Sequence, residues 1–305
     1  MGLGGPWDAP DYGPEHIDSA AEAVEAALSL GITRFDHADI YGRGKAEAVF
    51  GELLARDAGL RERIRIQSKV GIRLGEAGGF GHYDLSGRAI LDGVQGTLRR
   101  LRTDYLDVLL LHRPDPLLDP AEVGDAVGRL VADGAIRAIG ASNMSAAQMD
   151  ALQDHLPVPL VADQLELSLR HHAFAESVVL VNHGDGAGVS FPHGTLEHCV
   201  REGIELQAWS PLAGGRYTGR PPAEASDADR ATSALVAEFA AAKGATPEAV
   251  VLGWLMRHPA RIAPVIGSAN PVRIRACAGA EAVAEAMTRA EWFALFQTAR
   301  GKRVP

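Results

Sequence analysis

Asp36, Tyr41, Lys69 and His112 stand at or just past the ends of short runs rich in β-branched and apolar residues, and their chemistries complement one another. A lysine ammonium partly removed from water needs a carboxylate partner, which Asp36 could supply. The same ammonium beside a phenol favours the phenolate and lowers its pKa, making Tyr41 a usable acid near neutral pH. An imidazole such as His112 can donate a hydrogen bond to a carbonyl oxygen as negative charge builds there. Together these groups suit protonation of a carbonyl oxygen while a hydride arrives at its carbon. Each also has a plainer reading. Asp36 could cap the following turn or serve only as the structural partner of Lys69, Tyr41 could be a packing residue, and His112 could be a satisfied core histidine. What favours chemistry is that all of them fall at the same kind of position.

The runs that carry them recur along the chain, each followed by a polar break and an amphipathic helical stretch. Strands are expected over 32–36, 64–69, 106–112, 135–140, 160–164, 204–209 and 262–266, and helices over 17–30, 86–101, 120–132, 145–155 and 289–299. Val108 to Leu111 is apolar on both faces, as a parallel sheet covered on both sides requires. Alternation in one direction means βα units. With a short strand near Met1 to Gly5 the count reaches eight, so the expected fold is α/β, a (β/α)8 TIM barrel with a truncated first strand. The short opening suggests that the native start lies upstream of Met1. No linker divides the chain, so residues 1–305 are expected to form one barrel domain. Ser168 to Gly194 and Ala213 to Asp229 are too long for plain connections and are expected to act as lids or clamps.

A barrel puts its chemistry at the carboxyl ends of its strands. Those ends carry Asp36 with Tyr41, then Lys69, His112, Ser142-Asn143, Gln164, Trp209-Ser210 and Gly267-Ser268. Other chemistries fit poorly. His37, His112, His171, His172 and His193 form no HxH pair on a strand, so no metal site is expected; His171 and His172 read as loop residues open to substrate contact. No GxSxG elbow and no GxGxxG turn occurs, which excludes a serine-hydrolase elbow and a Rossmann cofactor site. A net charge of −9 argues against a nucleic-acid partner. No apolar run is long enough to span a membrane and no basic-then-apolar stretch opens the sequence, so neither a membrane span nor a signal peptide is expected. Cys199 and Cys277 make no disulfide framework, and the cytosol is the expected compartment. Oligomeric state is not legible here.

The motifs Phe35-Asp36-His37-Ala38-Asp39-Ile40-Tyr41-Gly42, Glu47 and Phe50-Gly51 resemble the signature of the aldo-keto reductases. The likeness continues in order through 67–71, 111–115, 139–143, 164–168, 209–212 and 264–268. The first run and the Arg300 to Pro305 ending look most like a bacterial branch of oxidoreductases whose substrates are poorly defined. The resemblance implies a catalytic tetrad of Asp36, Tyr41, Lys69 and His112, working with NADPH in preference to NADH on a small carbonyl substrate. It further implies that Ser142, Asn143 and Gln164 hold the nicotinamide carboxamide and that Trp209 stacks on the ring. Ser210, Leu212 and Gly214 would line the pyrophosphate, and Gly267, Ser268, Asn270 and Arg273 the adenosine phosphate end. Gly267 stands where many relatives have lysine, and Ala276-Cys277 where they have Glu-Asn, so the adenine grip is expected to be thinner. Arg273 retains a planar fork suited to a 2′-phosphate. The alternative implied by the family is a nucleotide-binding regulatory subunit with slow turnover.

Overall fold

The computed structural model describes residues 2–75, 80–219 and 222–305. Two compact units divide the chain. The first holds residues up to Asp163 plus Gly267–Pro271, and the second holds Gln164–Ile266 and Val272–Pro305. The strands are β1 (Arg34–Asp36), β2 (Arg65–Val70), β3 (Ile72–Arg73), β4 (His82–Tyr83), β5 (Val108–Leu111), β6 (Ile139–Ser142), β7 (Leu160–Glu166), β8 (Glu205–Trp209) and β9 (Ala263–Pro264). In the first unit β1, β2, β5 and β6 lie side by side and parallel, while β3 and β4 form a separate antiparallel ribbon. Strand β7 runs from the first unit into the second, where β8 and β9 pair in parallel. Within each unit the parallel strands follow sequence order, with helical crossovers between. That succession of βα units is the (β/α)8 class expected from the sequence.

The helices of the first unit are α1 (Pro14–Ser29), α2 (Lys45–Arg56), α3 (Leu60–Arg63), α4 (Gly87–Leu101), α5 (Pro120–Ala132) and α6 (Ala146–Gln153). Those of the second are α7 (Ala173–Val179), α8 (Thr195–Glu202), α9 (Asp227–Lys243), α10 (Pro247–Met256), α11 (Pro271–Arg275, its first residue assigned to the first unit), α12 (Ala280–Ala286) and α13 (Arg289–Arg300). Their starts follow local chemistry. Asp119 accepts from the Ala121 amide with Pro120 at the first helical position, and Thr288 and Glu291 form a reciprocal capping box. Their buried faces follow helical spacing, as with Ile90, Val94, Thr97 and Leu101 on α4. Both long connections carry structure of their own. Residues 168–194 include α7 and the tight turn Gly184–Gly188, and the second contains the turn Ala213–Gly215 and the start of α9. Arg220 and Pro221 of the latter lie outside the described residues.

Two expectations need correction. The first strand is not formed over Gly2 to Gly5: Gly4 and Gly5 have φ of 85° and 78°, left-handed values that no strand can use. The segment is instead fastened by the buried Lys45 ammonium, which donates to the carbonyls of Pro6 (2.8 Å) and Ala9 (2.5 Å). Met1 lies outside the described residues. Among the described residues, parallel pairing joins β1, β2, β5 and β6 in the first unit and β8 and β9 in the second. The strand expected over 135–140 also moves to Ile139–Ser142, leaving a single bridge between Leu106 and Ile136. The reason is shared by three strand starts. Ile32, Ala135 and Ile204 donate their amides back to Ala27, Leu130 and Cys199, closing the preceding helix, so pairing begins later than the apolar run.

Helices α2 and α4 cross at Gly51, where an added Cβ would stand 2.1 Å from the Arg100 carbonyl oxygen. Backbone cannot yield there as a flexible side chain could. Gly51→Ala is expected to cost about 1–3 kcal/mol, read as a lower urea midpoint with an unchanged slope.

Candidate active site

The first unit brings the whole expected tetrad to one rim. Strands β1 and β2 pair with Asp36 opposite Gln67, and the ladder continues past β1, with the His37 and Asp39 amides donating to the Gln67 (2.8 Å) and Lys69 (3.1 Å) carbonyls. This extension carries the chain to a tight turn, Tyr41–Gly44, that sets the phenol beside Lys69. Lys69 is fully buried. Its ammonium donates to Asp36 Oδ2 at 2.5 Å, to the His37 carbonyl at 3.0 Å and to the Tyr41 hydroxyl at 3.0 Å. An ammonium has three donors, and these contacts use them all. Asp36 is fixed on its other side, where Gln67 Nε2 donates to Oδ1 at 2.7 Å. His112 follows β5 directly, its ring edge-on to the Tyr41 ring with centroids 6.0 Å apart.

Electrostatics refine the chemistry. Burial raises the Tyr41 phenol above its ordinary value, and the opposing pull of Lys69 does not outweigh it. The lowered phenol pKa expected from sequence is thus corrected: desolvation of the phenolate exceeds the benefit of the nearby charge. Tyr41 consequently keeps its proton at neutral pH, as a donor must. Burial by itself would lower Lys69, but Asp36 and then Tyr41 reverse it, and the net shift is upward. His112 is pushed down to about 3, by burial first and by Lys69 second, so its imidazole is neutral. Its Nδ1 is buried without a hydrogen-bond partner.

The remaining expected residues fall in two groups. In the first unit Ser142 ends β6, and Asn143 follows with φ 61°, a strained value for a non-glycine residue. Asn143 Nδ2 donates to Ser142 Oγ (2.8 Å) and to the His112 carbonyl (3.3 Å), which ties this turn to the tetrad. Ser268 Oγ accepts from the Asn270 amide at 3.1 Å, and Gly267 is exposed with open space where a side chain would begin. In the second unit Gln164 Nε2 donates to Gln207 Oε1 at 3.0 Å, and Gln207 donates in turn to Glu205 at 2.9 Å. Trp209 ends β8 half-buried. Ser210 and Ala213 both have positive φ, and Gly214 faces open space. Leu212 precedes that turn, and Arg273 is exposed on α11.

Sequence reasoning missed the supporting groups. Gln67 was legible as the cross-strand neighbour of Asp36, but Gln207 depends on which strands are adjacent. Asp163 gave no signal at all. It is fully buried on β7, and neither carboxyl oxygen has a hydrogen-bond partner. Burial raises its carboxyl above the ordinary value, and the nearby Met144 amide only partly opposes the rise.

The family model of the aldo/keto reductase family matches residues 1–292. The chain is 37% identical over 302 residues to a 6-dehydroglucose reductase of Agrobacterium fabrum, covering 97% of this chain and 92% of that one. It is 38% identical over 287 residues to the oxidoreductase YcsN of Bacillus subtilis, covering 92% and 88%. Among solved structures, an aldo-keto reductase from Klebsiella pneumoniae in complex with NADPH superposes with a TM-score of 0.71 at 25% identity, covering 96% of this chain and 88% of that one. The chain belongs to the aldo/keto reductase family. It is an oxidoreductase with the barrel fold of that family.

Burial pushes the Asp163 carboxyl up to about 7. Its unfolded value is near 3.9, so the folded chain holds a proton that the unfolded chain has released between about pH 4 and 7. Stability from this group therefore falls as pH rises through that window and is flat above it. Asp163→Asn removes the ionisation. Its stability relative to wild type is expected to rise between pH 4.5 and 8 by a few kcal/mol at most, on the order of 3. Denaturant unfolding at the two pH values checks this, and a pH-independent difference would contradict it.

Proposed function

We propose that this enzyme reduces an aldehyde or ketone with NADPH, with Tyr41 delivering the proton. The observation that carries the reading is the contact of the buried Lys69 ammonium with both Asp36 and the Tyr41 hydroxyl. When bound, the nicotinamide nucleotide supplies hydride to the carbonyl carbon. Tyr41 protonates the carbonyl oxygen as charge develops on it, and Lys69 stabilises the phenolate left behind. Asp36 keeps Lys69 charged inside the protein. Neutral His112 donates a hydrogen bond to the reacting oxygen without competing for its proton.

The side chains suit such a nucleotide. Ser142, Asn143 and Gln164 offer the donors and acceptors a carboxamide needs, and Trp209 offers a flat face for the ring. The open α-carbon of Gly214, beside Ser210 and Leu212, allows close approach of a pyrophosphate. Gly267, Ser268 and Asn270 would flank the adenosine phosphate, with Arg273 giving the planar fork that favours a 2′-phosphate and hence NADPH over NADH. We read residues 1–305 as one functional domain working in the cytosol, where the buried thiols Cys199 and Cys277 stay reduced. The likeness to a 6-dehydroglucose reductase makes oxidised sugars the first carbonyls to test.

The experiment is NADPH oxidation against a panel of aldehydes, ketones and sugar carbonyls. Turnover is expected, with a higher kcat/KM for NADPH than for NADH. Nucleotide binding with no oxidation across the panel would favour a regulatory subunit instead. Tyr41→Phe should lose roughly 10²-fold or more in kcat, and near-normal turnover would refute the assignment. Arg273→Ala should weaken NADPH binding while leaving NADH binding unchanged; equal effects on both would remove the basis for the preference.

A further inference from the structure

Behind the tetrad, on the opposite face of β2, lies a second polar cluster that the reaction does not use directly. Successive residues of a strand point to opposite faces, so Ser68 faces the helices while Lys69 faces the site. Ser68 Oγ donates to Glu47 Oε1 at 2.6 Å. Glu47 is the third residue of α2, and its side chain is fully buried. Its other oxygen, Oε2, accepts from Arg100 Nε at 2.8 Å and forms an ion pair with Nη2, also at 2.8 Å. Arg100, near the end of α4, also reaches Thr97 Oγ1 at 3.4 Å.

Arg100 also touches the turn that carries Tyr41. Gly44 ends that turn at φ 88°, and a Cβ there would stand 2.9 Å from Arg100 Cδ. The contacts thus close a circuit. It runs from Tyr41 through its turn to Gly44, onto Arg100, across to Glu47 and Ser68, and along the backbone to Lys69. The Lys69 ammonium then returns to the Tyr41 hydroxyl. Asp39 borders the cluster with one buried oxygen unpartnered, pushed up to about 7 by burial and then by Glu47, with Arg100 and Arg73 opposing. The Arg100 guanidinium pairs with Glu47.

We propose that Glu47 is a positioning residue: through Ser68 on one side and Arg100 on the other, it sets the distance between Lys69 and Tyr41 from behind the sheet. The inference rests on Tyr41 being the proton donor and deepens that reading. Glu47 touches no reacting atom, so it acts only through geometry. A misplacement on the order of 1 Å at a reacting centre can cost about 10²-fold in rate. Glu47→Gln keeps the side-chain volume while removing the charge that orders Arg100. Arg100 is one-third exposed and can be resolvated, so the variant is expected to fold. Ser68→Ala cuts only the strand-side link and provides a second, milder variant.

The test measures kcat and nucleotide Kd for full-length wild type, Glu47→Gln, Ser68→Ala and the double variant, with NADPH and its 4-deuterated form. For Glu47→Gln the expected result is a kcat fall of about 10-fold or more, with Kd essentially unchanged. The primary isotope effect on kcat should grow as hydride and proton transfer become limiting. Ser68→Ala should fall less, and the double variant should be no worse than Glu47→Gln alone, because both break one circuit. NMR titration of ring-labelled Tyr41 gives a readout free of turnover: its pKa should rise in Glu47→Gln as Lys69 draws away. Wild-type kcat in a folded Glu47→Gln, or kcat and binding capacity falling together with the isotope effect and Tyr41 titration unmoved, would overturn the proposal. A wild type that oxidises no NADPH would instead count against the functional reading.

Discussion

The buried ammonium of Lys69 is the constraint on which the rest of the site depends. A charge removed from water is costly unless it is paired and its remaining donors are met. Here the three donors go to Asp36, the His37 carbonyl and the Tyr41 hydroxyl, so every partner's place is fixed by the same demand. Gln67 holds the far oxygen of Asp36, and the backbone ladder from β2 holds the segment between Asp36 and Tyr41. Loss of any of these partners would leave a charge unmet in the protein interior, and that penalty makes the arrangement specific.

The same burial decides who carries protons. Desolvation keeps the Tyr41 phenol protonated and the His112 imidazole neutral, while Asp36 keeps Lys69 charged. A carbonyl brought to this rim would meet one acid, one neutral donor and one fixed positive charge. Burial thus acts in opposite directions on the two pKa values, up for the phenol and down for the imidazole, and leaves both groups neutral. In the proposed reaction the charge left on the phenol would fall to Lys69, whose closeness to Tyr41 we propose the Glu47–Arg100 pair supports from the other face of β2.

Much of this was legible in the sequence because it follows from period and position. Apolar runs such as Val108 to Leu111 announced buried parallel strands, and the polar residue ending each run marked the rim. The helix expected over 120–132 is observed over the same residues. What failed did so for identifiable reasons. Strand starts were placed too early because Ile32, Ala135 and Ile204 are spent closing helices, and hydropathy does not record where an amide donates. The opening strand was inferred from a count of eight, whereas Gly4 and Gly5 turn the chain and Lys45 fastens it. The direction of the Tyr41 shift was misjudged because a neighbouring lysine can be read from a motif but burial cannot. Asp163, Gln207 and the roles of Ser68 and Arg100 depend on contacts between elements far apart in sequence. The strained backbone at Ser210 and Ala213 has no compositional mark.

The most direct test of the central claim is the single-turnover rate of hydride transfer in Lys69→Met, measured beside nucleotide binding on folded protein. Methionine keeps much of the side-chain length and removes the charge. If the ammonium organises Asp36 and Tyr41 for reaction, hydride transfer should fall roughly 10²-fold or more while the nucleotide still binds. A variant that binds the nucleotide and transfers hydride at the wild-type rate would contradict the account.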